Sequence, residues 1–238
     1  MTLLQTFTDR IPKDRLTMFT DFIADAKPFG IVKSNNAIGT PTDVYSNGNS
    51  DDLGSVTCTL ATGTSGSLYQ RIGIYQNTDQ TTTLTRSWTL LNGEYAVESR
   101  LKTSVNATAA CLMTFGYTLN HNTVLQNGAY FYHTNGQSTW RAAVSAENAI
   151  VREFDTGLSV DQYRTLRVVS LDNASAFEFY IDGRRVWKSV DQNVRNEIIA
   201  ASAYPMPCIE IRDRVAGGGG RANSFTADYL MTEERFVR

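Results

Sequence analysis

The chain reads as an all-β protein, a sandwich or a barrel, and three features say so. From about residue 30 onward, segments rich in Thr, Val, Tyr and Phe are separated by short clusters of Gly, Asn, Asp and Ser, the punctuation of many short strands. Two of those segments alternate residue by residue. In one, Tyr95, Val97, Ser99 and Leu101 take one face and Ala96, Glu98, Arg100 and Lys102 the other; in the second, Phe177, Phe179 and Ile181 alternate with Glu178, Tyr180 and Asp182. Successive side chains of a strand point to opposite faces, so each sheet is expected to be covered on one side and polar on the other. Finally, Asp182-Gly183 stands between Phe179-Tyr180-Ile181 and Arg185-Val186-Trp187. Both centres of a type I′ hairpin need positive φ, which Asp-Gly supplies.

Taken in order, the first thirty residues do not share this pattern. Residues 1–12 carry Leu3, Leu4, Phe7 and Ile11 at no regular period, an arm that needs a surface to lie on. From Asp14 to Lys27, Leu16, Phe19, Phe22, Ile23 and Ala26 recur at three- and four-residue spacing, which predicts a short amphipathic helix. Asp14 would cap it, and Pro28 with Gly30 would stop it. Residues 1–30 therefore divide off as an attachment and oligomerisation segment, and residues 31–238 as the β domain.

Within that domain strands are expected at 55–60, 69–74, 81–90, 95–103, 109–118, 129–133 and 139–144, then at 165–171, 176–181, 185–188, 208–214 and 226–232. Glu153-Phe-Asp155-Thr-Gly157 reads as a loop. The four glycines Gly217–Gly220 read as a mobile loop between the last two strands. No Lys-Ser/Thr follows them, so they are not a phosphate cradle. No repeat of 20–50 residues is present.

Composition bounds the function. Of 238 residues 42% are hydrophobic and 11% aromatic, enough for a core and against global disorder. The 22 basic and 24 acidic side chains give a net charge of -2, without the basic face of a nucleic-acid binder. No apolar run is long enough for a membrane-spanning helix. The opening MTLLQTFTDRIPKDR lacks the pattern of a secretory signal, so synthesis and residence in the cytosol are expected. Cys58, Cys111 and Cys208 each sit in a strand-like run and are expected as buried thiols rather than a disulfide framework. Without a secretion route the glycosylation patterns at Asn106 and Asn173 carry little meaning.

Several stretches resemble concanavalin A-like lectin/glucanase jelly-roll domains. Tyr163-Arg-Thr-Leu-Arg-Val-Val-Ser-Leu171 followed by Ala176-Phe-Glu-Phe-Tyr-Ile-Asp-Gly-Arg-Arg-Val186 resembles that family's strand pair ending in "FYIDG". Gly93-Glu-Tyr-Ala-Val-Glu-Ser-Arg-Leu-Lys102 is similar to its "Y-x-x-E-x-R" strand, and Phe225-Thr-Ala-Asp-Tyr-Leu-Met231 to its closing "DY" strand. Leu60-Ala-Thr-Gly-Thr64, Gly128-Ala-Tyr-Phe-Tyr132, Trp140 and Asp155-Thr-Gly157 resemble a subset found in bacteriophage virion proteins. The resemblance covers about residues 40–235. It implies a jelly-roll β-sandwich of two antiparallel sheets preceded by the arm and helix. The superfold hosts lectins, glycosidases, lyases and inert structural modules, so it leaves the function open.

The glucanase branch carries Glu-x-Asp-x-x-Glu on one strand, with one carboxylate as nucleophile and another as acid/base. Here Glu153-Phe-Asp155 has the opening, but Thr156-Gly157-Leu158 follows. Glu94 and Glu98 share a face with Arg100 and Lys102, which reads as a solvated charged surface. Glu178 shares a face with Asp182, which the turn claims. His121 and His133 stand in loop-like contexts without metal-ligand spacing; no Gly-x-Ser-x-Gly elbow is present; Asp51 and Asp52 read as a turn rather than a calcium site. No catalytic residue, metal or cofactor is expected. Sugar sites use exposed aromatics beside amides and carboxylates. Trp88 and Trp140 fall within strands and are expected to fill core, leaving Trp187 and Tyr180 as the candidate glycan-binding residues.

The resemblance and the absent motifs together imply a non-enzymatic virion protein made in a host cytoplasm. It would be a capsid decoration or cement subunit docked on other virion proteins through Leu3, Leu4, Phe7, Ile11, Leu16, Phe19, Phe22 and Ile23. It would be a homo-oligomer, with a trimer favoured. The alternatives are a glycan-binding module of a head or tail fibre that contacts a cell-surface glycan, and a glycoside-active enzyme with an unrecognised site. Neither nucleic acid nor membrane is an expected partner.

Overall fold

The structure is a computed structural model that describes residues 15–20, 31–35, 44–45, 55–60, 69–74, 93–104, 111–118, 128–134, 136–146, 149–190, 206–213 and 223–236. Every regular element among them is a strand: β1 (Arg15–Thr20), β2 (Ile31–Asn35), β3 (Val44–Tyr45), β4 (Val56–Leu60), β5 (Tyr69–Ile74), β6 (Gly93–Thr103), β7 (Cys111–Thr118) and β8 (Gly128–Thr134). Then come β9 (Thr139–Ala146), β10 (Ala149–Ser159), β11 (Arg164–Leu171), β12 (Ala176–Ile181), β13 (Arg184–Val190), β14 (Met206–Asp213), β15 (Asn223–Ala227) and β16 (Leu230–Phe236). They form two antiparallel sheets. A nine-stranded sheet runs β13-β12-β11-β6-β15-β4-β3 with β16 also paired to β6 and β1 to β16, and a seven-stranded sheet runs β10-β9-β8-β7-β14-β5-β2. This is the jelly-roll sandwich that the sequence predicts.

Long β6 organises the larger sheet. One edge pairs with β11, from Arg164↔Leu101 to Ser170↔Tyr95. The other pairs with two strands in succession, β15 at Leu101–Thr103 and β16 at Gly93–Glu98. The segment expected as one strand over 226–232 therefore breaks at Asp228 and Tyr229. The break is pinned to β6: the Asp228 N–H donates to the Arg100 carbonyl at 2.9 Å, and the Ser99 hydroxyl to the Tyr229 carbonyl at 2.6 Å. The Arg100 guanidinium pairs with the Asp228 carboxylate.

The helix expected over 14–27 is corrected where the structure describes it. Residues 15–20 form β1, antiparallel to β16 from Arg15↔Arg235 to Thr20↔Leu230. The open edge of β16 offers backbone partners that an isolated helix does not need, and Thr17, Phe19 and Thr20 suit a strand. Helical spacing is a weak prior beside such pairing. Leu16 and Phe19 thus belong to a strand of the sandwich. Leu3, Leu4, Phe7, Ile11, Phe22 and Ile23 lie outside the described residues, as do the strand expected at 81–90, Trp88, His121, Asp51, Asp52 and Gly217–Gly220.

The core between the sheets is aromatic. Phe131 meets Phe179 edge-on at 5.4 Å between ring centroids. Phe115, Trp140, Phe177 and Phe225 are fully buried, and burial of rings this size dominates the stability of a sandwich. At one end His133 closes β8 rather than sitting in a loop. It is buried, packs edge-on to Trp140 at 5.3 Å, and its Nε2 lies 2.9 Å from the Thr103 hydroxyl. Burial pulls its pKa down to about 4, so the imidazole is neutral at pH 7. Cys208 is a buried thiol, as expected; the side chains of Cys58 and Cys111 lie outside the described ones. The Asp182-Gly183 hairpin has the expected φ values of 51° and 76°.

Two expectations fail in the seven-stranded sheet. The loop expected at 153–157 is part of β10, which continues through a register shift at Gly157 (φ 68°), whose N–H donates to the Asp155 carboxylate at 2.9 Å. Nor is this sheet covered on one side only. Opposite the core, Leu112, Tyr130, Tyr132 and Ala143 form a second buried cluster with Ile150 packed against it, and Thr114, Ser145 and Glu210 are buried as well. Strands apolar on both faces follow when both faces are packed.

Candidate functional site

The two outward sheet faces differ in what they offer a ligand. On the seven-stranded sheet, Tyr132, Arg141, Glu153 and Asp155 are brought together by the pairing of β8, β9 and β10. The Tyr132 hydroxyl donates to Glu153 Oε2 at 2.5 Å, Arg141 Nη1 to Glu153 Oε1 at 3.0 Å, and Arg141 Nη2 lies 3.7 Å from Asp155 Oδ2. Burial and the adjoining Glu153 carboxylate push the Tyr132 phenol up to about 12. The Gly157 N–H and then the Thr139 hydroxyl hold the Asp155 carboxyl below its usual value. Glu153 and Asp155 do share a face, as in the opening of the glucanase motif. Yet one guanidinium ties both, on a strand at the end of the sheet.

The nine-stranded sheet presents an open groove of about 580 Å³ lined by Glu98, Thr165, Arg167, Val169, Tyr180 and Gly183. Its position follows from register: Arg167 of β11 stands between Glu98 of β6 and Tyr180 of β12. Arg167 Nη1 donates to Glu98 Oε2 at 3.2 Å and Nη2 to Glu233 Oε2 at 2.5 Å, and the Tyr229 hydroxyl donates to Glu98 Oε1 at 2.7 Å. Burial, then the Glu98 carboxylate, pushes the Tyr229 phenol up. Beside the groove, Glu178 accepts from the Tyr180 hydroxyl at 2.5 Å and Arg185 Nη1 at 2.8 Å, with Lys188 Nζ at 3.4 Å. Burial opposes ionisation of Glu178, but these three donors outweigh it and hold its carboxyl below the usual value. Every charged side chain that lines the groove is thus matched by an opposite charge. Such a surface offers hydrogen-bond donors and acceptors without a net field.

The two sequence-chosen aromatics are not brought together. Tyr180 lines the groove. Trp187 is half-buried on the inner side of the same sheet, packed against the core and stacked on Phe179 at 5.1 Å and Phe154 at 6.3 Å. Two internal partners take up its ring, and Trp140 is wholly buried, as expected. Sequence reasoning missed Arg167, Glu233 and Tyr229, because the network joins β6, β11 and the segment ending in β16. Their only sequence signal is polar alternation. No group of three or more His, Cys, Asp or Glu side chains among the described residues is placed to hold a metal.

No protein-family model and no curated protein sequence matches the chain. Solved structures do. A protein of unknown function from Shewanella oneidensis MR-1 is 12% identical over 100% of this chain and 97% of its own, with a TM-score of 0.64. An endo-1,3-β-glucanase from Streptomyces sioyaensis is 13% identical over 95% of this chain and 99% of its own, with a TM-score of 0.58. The CBM2 module of the evolved Dit protein of Lactobacillus casei BL23 phage J-1 is 12% identical over 94% of this chain and 99% of its own, with a TM-score of 0.52. Identities this low speak to architecture, and on that evidence the chain has the concanavalin-like jelly-roll fold, a fold shared by a glucanase and by a phage-borne module.

Proposed function

We propose that the chain is a non-enzymatic glycan-binding domain of a bacteriophage virion, which seats a neutral sugar in the groove beside Tyr180. The observation that carries this reading is the groove itself: an aromatic wall next to donors and acceptors whose charges are already matched. A neutral polyol can hydrogen-bond to such groups without displacing a counter-charge, whereas an ionic ligand would have to break an existing pair. The phage module and the glucanase among the structural neighbours favour the same reading at the level of fold. A catalytic carboxylate must be free to reach the group it serves. Glu98 and Glu233 both accept from Arg167, and Glu153 and Asp155 both face Arg141, so each already has an internal partner.

The test is a screen of neutral oligosaccharides by glycan array, followed by calorimetry on the hits. Tyr180→Ala is expected to weaken binding at least about tenfold, the loss of one aromatic contact. Absence of binding to any neutral glycan sinks the reading. So does turnover of a polysaccharide that is lost on Glu98→Gln or Glu153→Gln. A shell-decoration role, favoured by the apolar Leu3, Leu4, Phe7 and Ile11 ahead of the first strand, is separated by copy number. Hundreds of copies per particle indicate a shell subunit attached to capsid protein, and about a dozen or fewer indicate a fibre.

A further inference from the structure

β10 and β13 are the terminal strands of the two sheets and flank the same side of the sandwich, where Phe154 of one stacks on Trp187 of the other. The exposed large hydrophobic residues described, Val151 and Phe154 on β10 and Val190 on β13, all lie on these two strands, at 43%, 41% and 65% exposure. An exposed sheet edge bearing apolar side chains is a template for pairing. β10 ends and β11 begins at one end of the sandwich: between them the Val160 N–H donates to the Ser138 carbonyl, and the Val160 carbonyl accepts from the Thr103 N–H. β11 is antiparallel to β12 and β12 to β13, so β13 runs opposite to β10.

Charge then selects among the ways two copies can meet. On β10 itself the exposed Glu153 and Asp155 outnumber the exposed Arg152. Beside β13, Arg185 and Lys188 outnumber Glu178, and Arg184 is exposed at the start of the strand. Pairing β10 with β10 of a second copy, or β13 with β13, would set like charge against like; pairing β10 with β13 sets opposite charges side by side.

We propose that two copies of this chain associate about a twofold axis running along this side of the sandwich, with β10 of each copy beside β13 of the other. Rotation about that axis exchanges the two sheets while keeping strand direction, so both contacts are antiparallel and form together. The seven-stranded sheet of each copy continues into the nine-stranded sheet of the other, with Phe154 near the axis and Val151 and Val190 on the two edges that meet. The contact is closed and isologous. Arg152–Asp155, the regular stretch between the two register shifts of β10, supplies the ladder.

Sedimentation of the full chain at micromolar concentration is expected to show a dimer. The double substitution Val151→Lys with Val190→Lys should yield a monomer that still unfolds in one cooperative transition. Arg184→Glu should raise the dimer dissociation constant at least about tenfold. A wild-type monomer, a trimer or larger species, or a dimer that survives the double substitution overturns the proposal. If the double variant does not fold, Arg184→Glu decides, and an unchanged dissociation constant overturns the proposal.

Discussion

The two sheets share one core, but their outward faces were built to different rules. Behind the seven-stranded sheet, Tyr130, Tyr132 and Leu112 are packed away from water. Across the nine-stranded sheet, Glu98, Arg167, Glu233, Arg100 and Asp228 form ion pairs with one another at partial exposure. The first face owes its order to shape, which tolerates little change. The second owes it to charge matching in a screened setting, where each pair contributes little on its own. A ligand site can be altered on the second face without endangering the fold, and that is where the groove lies.

The contrast is broken most sharply at Gly116, whose φ is 142° and where an added Cβ would stand 2.6 Å from the Ala129 carbonyl oxygen and 2.8 Å from the Tyr130 Cα. Both are backbone atoms of the neighbouring strand, so Gly116→Ala should cost on the order of 3 kcal/mol or more in chemical denaturation. A destabilisation under about 1 kcal/mol would show this face to be looser than described.

Between the faces, His133 supplies a pH signature of similar size. Its folded pKa is near 4 against an ordinary value of 6.5, so between those values the unfolded chain binds more protons. Stability is therefore full above about pH 6.5 and falls as pH drops, by about 3 kcal/mol on reaching pH 4. His133→Leu should flatten that slope, and an unchanged slope would mean the imidazole is solvated. The carboxyls held low, Asp155 and Glu178, act in the same direction but at lower pH.

Smaller effects sharpen the comparison. Tyr132→Phe deletes the hydroxyl that donates to Glu153 and should cost about 1–2 kcal/mol by thermal melting. Glu233→Gln, on the polar face, keeps the side chain and removes one of two carboxylates on Arg167. It should cost less than about 1 kcal/mol, and molar salt should erase the difference. If the order of these two were reversed, the polar face would be the structural one.

The legibility of the fold follows the same division. β11, β12 and their hairpin were readable because burial alternates along β11 and because Phe177, Phe179 and Ile181 of β12 alternate in polarity with Glu178 and Tyr180. Doubly buried β8 has no alternation to read: Ala129-Tyr130-Phe131-Tyr132 is a continuous apolar run, and that continuity is the signal of packing on both sides. β1 was misread because its identity rests on an edge offered by β16 from the far end of the chain. Of the groove, Tyr180 and Glu98 could be placed on strand faces, but their meeting with Arg167 and Glu233 depends on register across β6, β11 and β16.

The double partnering of β6 also sets a schedule for synthesis. Both strands that cover its second edge, β15 and β16, come from residues 223–236, and among the described strands β1, from residues 15–20, reaches the sheet through β16. A nascent chain translated through β14 therefore presents the middle of its larger sheet as an eleven-residue strand with one side unpaired, open to any neighbouring chain on the same polysome. Completion depends on contacts between residues far apart in sequence, the slowest kind to form. Crowded expression should therefore favour exchange of β15 and β16 between chains, and slowing translation initiation, which spaces the ribosomes, should improve the yield of correctly closed sandwich.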